Sequence, residues 1–156
     1  PSLNSFGRID ASNTLSGATW SPSTVTYTGN NRTHMVRIPD AGRFEVRHAD
    51  GSANPYLLQA GMLGLGLDGI NNKRSPGKRL DINMYTQGHK LKRVKKLPKT
   101  LDKALKLFKE SNVAKNAFGS SVVSKYIKLK NRELKEYGKQ PEDKKSEWSR
   151  NNAIDC

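Results

Sequence analysis

Thr33-His34-Met35-Val36-Arg37-Ile38-Pro39-Asp40-Ala41-Gly42-Arg43-Phe44-Glu45-Val46-Arg47-His48-Ala49-Asp50 is the stretch that decides how this chain is read. Side chains alternate faces along a strand, so in Arg43 to Arg47 the residues Phe44 and Val46 point one way while Arg43, Glu45 and Arg47 point the other. One face reads as core and the other as a row of charge. Pro39-Asp40-Ala41-Gly42 supplies the turn of a hairpin, with proline fixing φ early and glycine able to take a positive φ late. The preceding strand, His34 to Ile38, adds Arg37, and Arg32 sits just before it. Alternate residues on one strand face lie about 7 Å apart. That spacing suits arginine forks gripping a phosphate or carboxylate, with Glu45 between them as a ligand for a hard cation such as magnesium. A solvated face carrying weak ion pairs is the other reading of the same pattern.

Toward the N-terminus, residues 1 to 23 are rich in Ser, Thr, Asn and Gly and read as loop. Thr24-Val25-Thr26-Tyr27 is β-branched and aromatic, a strand leading to Gly29-Asn30-Asn31, so strand, turn and hairpin together predict an antiparallel meander. Toward the C-terminus, Asn54-Pro55 starts a helix, because asparagine caps free amides and proline tolerates the first helical position. That helix, about Pro55 to Asn71, is apolar nearly all round and is expected to be buried. Gly64-Leu65-Gly66-Leu67-Asp68-Gly69 within it matches the G-x-G-x-x-G dinucleotide pattern. Its glycines lie late in a helical run, however, not at a strand-to-helix turn, so they predict close packing of the helix against the sheet. Residues 71 to 99 read as a polar connection. A second helix runs from Thr100 to about Asn112, with Leu101, Ala104, Leu105 and Phe108 at helical spacing, and a third from about Ser120 to Tyr137, burying Val122, Val123, Tyr126, Ile127 and Leu134. The tail through Trp148 is placed to dock on the helices or on a neighbouring subunit. The fold class these elements predict is α+β, an antiparallel sheet packed against helices. It divides into a loop-and-hairpin site region over residues 1–50 and a helical region with a basic surface over residues 51–156.

The net charge of +14 looks like a nucleic-acid signal until it is divided by position. Residues 1 to 70 hold five basic and five acidic side chains, whereas the rest of the chain holds 23 basic and nine acidic ones. Aromatic residues do not interleave with those lysines as a stacking platform requires, and no helix-turn-helix, zinc-finger or RNA-recognition motif is present, so a nucleic-acid partner is not expected. No stretch has the run of about 18 apolar residues that a membrane span needs, and the chain carries one cysteine, Cys156, which rules out a disulfide framework within it. A cytoplasmic location is the expectation. The start at Pro1 in place of methionine points to a piece of a longer protein. His34, His48 and His89 are scattered and read as hydrogen-bonded surface groups.

Several of these segments, in one consistent order, resemble the C-terminal part of the catalytic domain of glutamine synthetases. They are Asn31 to Pro39, Arg43 to Arg47, Ala53-Asn54-Pro55-Tyr56-Leu57 and Gly66-Leu67-Asp68-Gly69-Ile70. The pattern is similar to the members called type III glutamate-ammonia ligases. Asn4-Ser5-Phe6-Gly7-Arg8 resembles the family's Asn-Ser-Tyr-Lys-Arg segment, whose arginine binds glutamate. Asp81-Ile82-Asn83-Met84-Tyr85 resembles the segment that bears an adenylylated tyrosine in some bacterial members, but Thr86 to Lys90 departs from the acidic, proline-rich continuation, so modification of Tyr85 is not expected.

The resemblance implies ATP-dependent amide formation through γ-glutamyl phosphate, with glutamate, ammonia and ATP as substrates and magnesium or manganese as cofactor. It makes Arg32 the catalytic arginine touching both glutamate and the γ-phosphate. Arg8 and Arg47 become glutamate ligands, Arg37 and Arg43 contacts to ATP, and Glu45 a metal ligand. A homo-oligomer of the double-ring type is implied for the parent protein. The family's flap motif Tyr-Glu-Ala-Pro falls on Thr19-Trp20-Ser21-Pro22, so Trp20 stands in place of a glutamate that handles ammonium. Tryptophan takes no proton, yet its face attracts cations and tolerates an alkylated one. That substitution keeps a ligase for methylamine or another small amine open beside ammonia. The family's remaining metal ligands come from earlier in the full chain, so these 156 residues are expected to form one wall of a site and to be inactive alone. A non-catalytic anion-binding or oligomerisation module is the reading from another class.

Overall fold

Val36–Asp40 (β2) and Arg43–Val46 (β3) pair as the expected antiparallel hairpin in the computed structural model, which describes residues 1–6 and 21–152. Val36 lies opposite Val46, Arg37 opposite Glu45 and Asp40 opposite Arg43, with an irregularity between Arg37 and Asp40. Pro39 accounts for it, since a residue without an N–H cannot complete a ladder and is tolerated at a bulge. Gly42 closes the turn at φ 77°, a conformation open to glycine at no steric cost.

The third strand, Tyr27–Thr28 (β1), runs parallel to β2, so the sheet is mixed, in the order β1-β2-β3. The predicted meander is corrected here. The link between β1 and β2 folds back on itself: Asn31 N donates to Gly29 O at 2.8 Å, and the Thr33 amide and hydroxyl both donate to Asn31 Oδ1, at 3.0 and 2.8 Å. An asparagine turn of this kind reverses the chain twice within seven residues, so β2 sets out in the direction of β1. Thr24 forms only an isolated bridge to Lys96. Phe44 is 63% exposed, which corrects the expectation that its face of the hairpin is core. The interior of this unit, made of residues 21–49 and Pro76–Leu97, is instead polar, with Thr26, Thr28, Thr33 and His34 buried. His34 is thus no surface group; its Nε2 donates to Ile82 O at 2.8 Å. A short helix, Met84–Gln87 (α2), lies where only a connection was predicted, and its cap Asn83 accepts from the Tyr85 and Thr86 amides.

The other unit holds Pro1–Phe6, Asp50–Ser75 and residues 98–152. Its helices are Pro55–Asn71 (α1), Leu101–Glu110 (α3), Asn112–Phe118 (α4), Ser120–Gly138 (α5) and Lys145–Asn152 (α6). Asn54 Oδ1 accepts from Leu57 N at 3.0 Å with Pro55 at the first turn, as the start signal predicts. Leu101, Leu105, Ala114 and Val123 form the buried core, and Phe108 meets Phe118 and Tyr126 edge-on, at 5.8 and 5.5 Å between ring centroids. Of the side chains predicted for the core face of the third helix, Val123 is buried and Val122 is exposed. Trp148 of α6 packs beside Tyr137, so the tail docks on its own chain.

Two expectations for α1 are overturned. No residue of this helix is buried: Tyr56, Leu63, Leu67 and Ile70 are 82, 69, 58 and 74% exposed. The glycine-rich run packs on α4, not on a sheet, because a Cβ at Gly64 would collide with Ala117 Cβ and one at Gly61 would lie 3.0 Å from Phe118 Cζ. Helix α1 carries apolar residues all round, and α4 packs on the side that bears Gly61 and Gly64. Among the described residues no helix is long and apolar enough to cross a membrane.

Candidate functional site

Pairing of β2 with β3 puts Arg37 directly across from Glu45, and cross-strand partners point to the same face. Arg37 Nη1 donates to Glu45 Oε1 at 2.7 Å and to Oε2 at 2.9 Å. The Arg37 side chain is 13% exposed and that of Glu45 35%, so the pair is shielded on the arginine's side. That hydrogen bond outweighs a slight desolvation and, with the charges of Arg37, Arg43 and Arg47, holds the Glu45 carboxyl below the usual carboxylate range. The other edge of the same guanidinium is also engaged. Arg37 Nε donates to Asn30 Oδ1 at 2.9 Å, and Nη2 donates to that oxygen as well.

Arg47 follows β3 on the face of Glu45, and its Nη1 donates to the backbone carbonyl of Arg32. Partial burial draws its pKa down from the usual arginine value, opposed by the charges of Tyr85 and Glu45, and the group stays cationic. Arg32 is exposed on the turn that precedes β2. The structure therefore gathers Arg37, Glu45, Arg47 and the Arg32 backbone on one sheet face. Arg43 stands apart at the turn end of the hairpin, exposed and 3.7 Å from Asp40. Arg8 and Trp20 lie outside the described residues.

A supporting network was not found from sequence. Asp81 Oδ1 accepts from Thr28 Oγ1 and from Arg79 Nε, each at 2.7 Å, and the Thr28 bond, then that of Arg79, hold its carboxyl below the ordinary value. Asn31 Nδ2 and His34 Nε2 both reach Ile82 O, which ties the turn bearing Arg32 to the segment before α2. The signal for Asn30 was present as one of two asparagines after Gly29, but these read as turn residues. The parallel pairing that brings Asn30 beside Arg37 has no local signature.

As a divalent-metal site the described residues are incomplete. Among them no group of three or more His, Cys, Asp or Glu could hold a metal ion, and both Glu45 oxygens face Arg37. Magnesium needs near-octahedral oxygen ligation, of which one carboxylate is a part. What the face offers unaided is a set of guanidinium donors for anionic oxygens, with one carboxylate kept ionised among them.

The family model for the glutamine synthetase catalytic domain matches residues 1–149. A glutamine synthetase of Rhizobium leguminosarum bv. phaseoli is 48% identical over 155 residues, which is 99% of this chain and 35% of the relative. A glutamate–methylamine ligase of Methyloversatilis universalis is 35% identical over 158 residues, covering 99% of this chain and 34% of that protein. Among solved structures, a GmaS/ADP complex is 47% identical and superposes with a TM-score of 0.83 over 100% of this chain and 35% of its own. The chain thus spans about a third of the length of the curated relatives it matches.

Proposed function

This chain belongs to the glutamine synthetase catalytic-domain family, and we propose that it forms the arginine-bearing wall of a site that joins an amine to glutamate at the expense of ATP. The observation that carries this reading is the family match over residues 1–149. In the proposed reaction the side-chain carboxylate of glutamate attacks the γ-phosphorus of ATP, releasing ADP and forming γ-glutamyl phosphate. Ammonia then displaces phosphate from the acyl carbon. A carboxylate approaching a triphosphate concentrates negative charge, and donors fixed in advance where that charge develops lower the barrier most. Arg32 is assigned to both glutamate and the γ-phosphate, Arg37 to the phosphates of ATP, Arg43 to the nucleotide, and Arg8 and Arg47 to glutamate. Glu45 is assigned as one oxygen ligand of a divalent cation whose remaining ligands come from outside the described residues. The parent is proposed to be a cytoplasmic homo-oligomer, with this chain as the C-terminal portion of its catalytic domain.

Ammonia is the first reading for the amine, supported by relatives named glutamine synthetase at 48 and 46% identity. Methylamine is the second, supported by the glutamate–methylamine ligase and by Trp20, an aromatic face in the place of a proton-accepting glutamate. The deciding experiment is a coupled ATP-turnover assay with glutamate on the complete protein, comparing ammonium with methylammonium and using Glu45→Gln as control. A higher kcat/KM with ammonium and a dead control establish glutamine formation. A higher value with methylammonium assigns Trp20 to an amine pocket. No turnover with either amine leaves an anion-binding module as the better account.

A further inference from the structure

The Arg37 guanidinium carries five N–H groups in a rigid plane, and its partners engage all three of its nitrogens. Both oxygens of Glu45 accept from Nη1, while Asn30 Oδ1 takes Nε–H and one Nη2–H. One Nη2–H is left without a partner among the described residues. Asn30 itself is exposed, while the Arg37 side chain it holds is 13% exposed. The amide oxygen thus acts as a stop on the far edge of the guanidinium, opposite the carboxylate. Without it the group could turn about its last side-chain bonds and give the Nε edge to Glu45, which is an equally good fork.

We propose that Asn30 is a positioning residue: by accepting the Nε and Nη2 protons of Arg37, it sets the plane in which Nη1 holds Glu45 and the remaining Nη2–H points outward to a phosphate oxygen of the nucleotide. This rests on the assignment of Arg37 to the phosphates. The ligand class is a nucleoside di- or triphosphate, since one outward donor beside a neutralised Arg–Glu pair adds a directed hydrogen bond with little further net charge.

The test is calorimetric binding of ADP to the complete protein, with KM for ATP, KM for glutamate and the melting temperature measured on the same samples. Asn30→Leu is expected to weaken ADP binding about tenfold, comparable to the loss of a well-aligned charged hydrogen bond. KM for ATP rises to match, while KM for glutamate and the melting temperature stay at their original values. Arg37→Ala is expected to weaken ADP at least as much. If Arg37→Ala weakens ADP and Asn30→Leu does not, the positioning role is overturned and the phosphate assignment stands. If Arg37→Ala leaves ADP binding intact, the phosphate assignment fails and takes the inference with it. A lower melting temperature with both KM values raised makes Asn30 a structural residue and overturns the proposal.

Discussion

Thr28 shows at the scale of one residue how a buried hydroxyl is satisfied, here by the exposed carboxylate of Asp81. Thr28, 1% exposed, donates to Asp81 Oδ1 at 2.7 Å, and Arg79 Nε donates to the same oxygen. Because these bonds favour the ionised form, the folded-state pKa of Asp81 lies below the ordinary aspartate value. A depressed carboxyl stabilises the fold fully above the unfolded value, and the contribution disappears as pH falls through the folded one. Thr28→Val is therefore expected to move the Asp81 titration, followed by carboxyl NMR, up toward the ordinary value. The urea midpoint should drop at pH 7, and the gap to the parent should narrow as pH falls through the carboxylate range. A gap that does not change with pH would instead assign the loss to packing. Such partners explain what was legible in the sequence. Glu45 and Arg47 could be placed on one face, and Arg37 on the partner strand of the same hairpin, because strand alternation and a hairpin turn are local signals, whereas Asp81 finds Thr28 across 53 positions and leaves no periodic trace. His34 failed for the same reason, since an isolated histidine reads as a surface group until Ile82 arrives from a distant segment.

Helices α3 and α5 were legible nearly to the residue, because a 3.6-residue apolar rhythm over ten or more positions is hard to produce otherwise. Helix α4 was missed, being seven residues long and cut off by Ser111 and by Gly119 at φ 82°. Helix α1 was placed correctly but wrongly expected to be covered, because uniform apolarity says nothing about which side meets a neighbour. Its glycines give a sharp test of the side that does. Gly64→Ala adds a methyl that would overlap the Cβ of Ala117 on α4, a side chain with no rotamer to move away, and is expected to cost about 1–3 kcal/mol, net of its better helix propensity. Gly66→Ala meets nothing within 4 Å and is expected to stabilise by about 0.5–1 kcal/mol. Opposite signs from two identical changes, read as urea midpoints, would confirm the packing of α1 on α4, and equal signs would refute it. In the same unit Leu105→Ala, at 4% exposure, is expected to lose about 3 kcal/mol by opening a cavity in the core.

Across the whole molecule, apolar surface and charge are arranged against each other. The chain carries +14, which keeps copies apart at low ionic strength, while Tyr56, Leu63, Leu67 and Ile70 form one exposed stripe along α1 at spacings of seven, four and three residues. A contiguous apolar stripe of this kind binds hydrophobic dyes and associates when charge repulsion is reduced. Salt at about 0.5 M shortens the screening length to a few ångströms, so self-association of the 156-residue chain should rise with ionic strength, the reverse of what a charge-driven contact gives. Leu63→Lys with Leu67→Lys is expected to cut fluorescence of a bound naphthalene-sulfonate dye several-fold and to abolish the salt-induced association in sedimentation. Stability should change by less than about 0.5 kcal/mol per site, because side chains 69 and 58% exposed contribute little burial. Dye binding that survives the double substitution would place the sticky surface elsewhere. A large loss of stability would mean that the stripe is covered within the chain itself, contrary to the exposure of all four side chains.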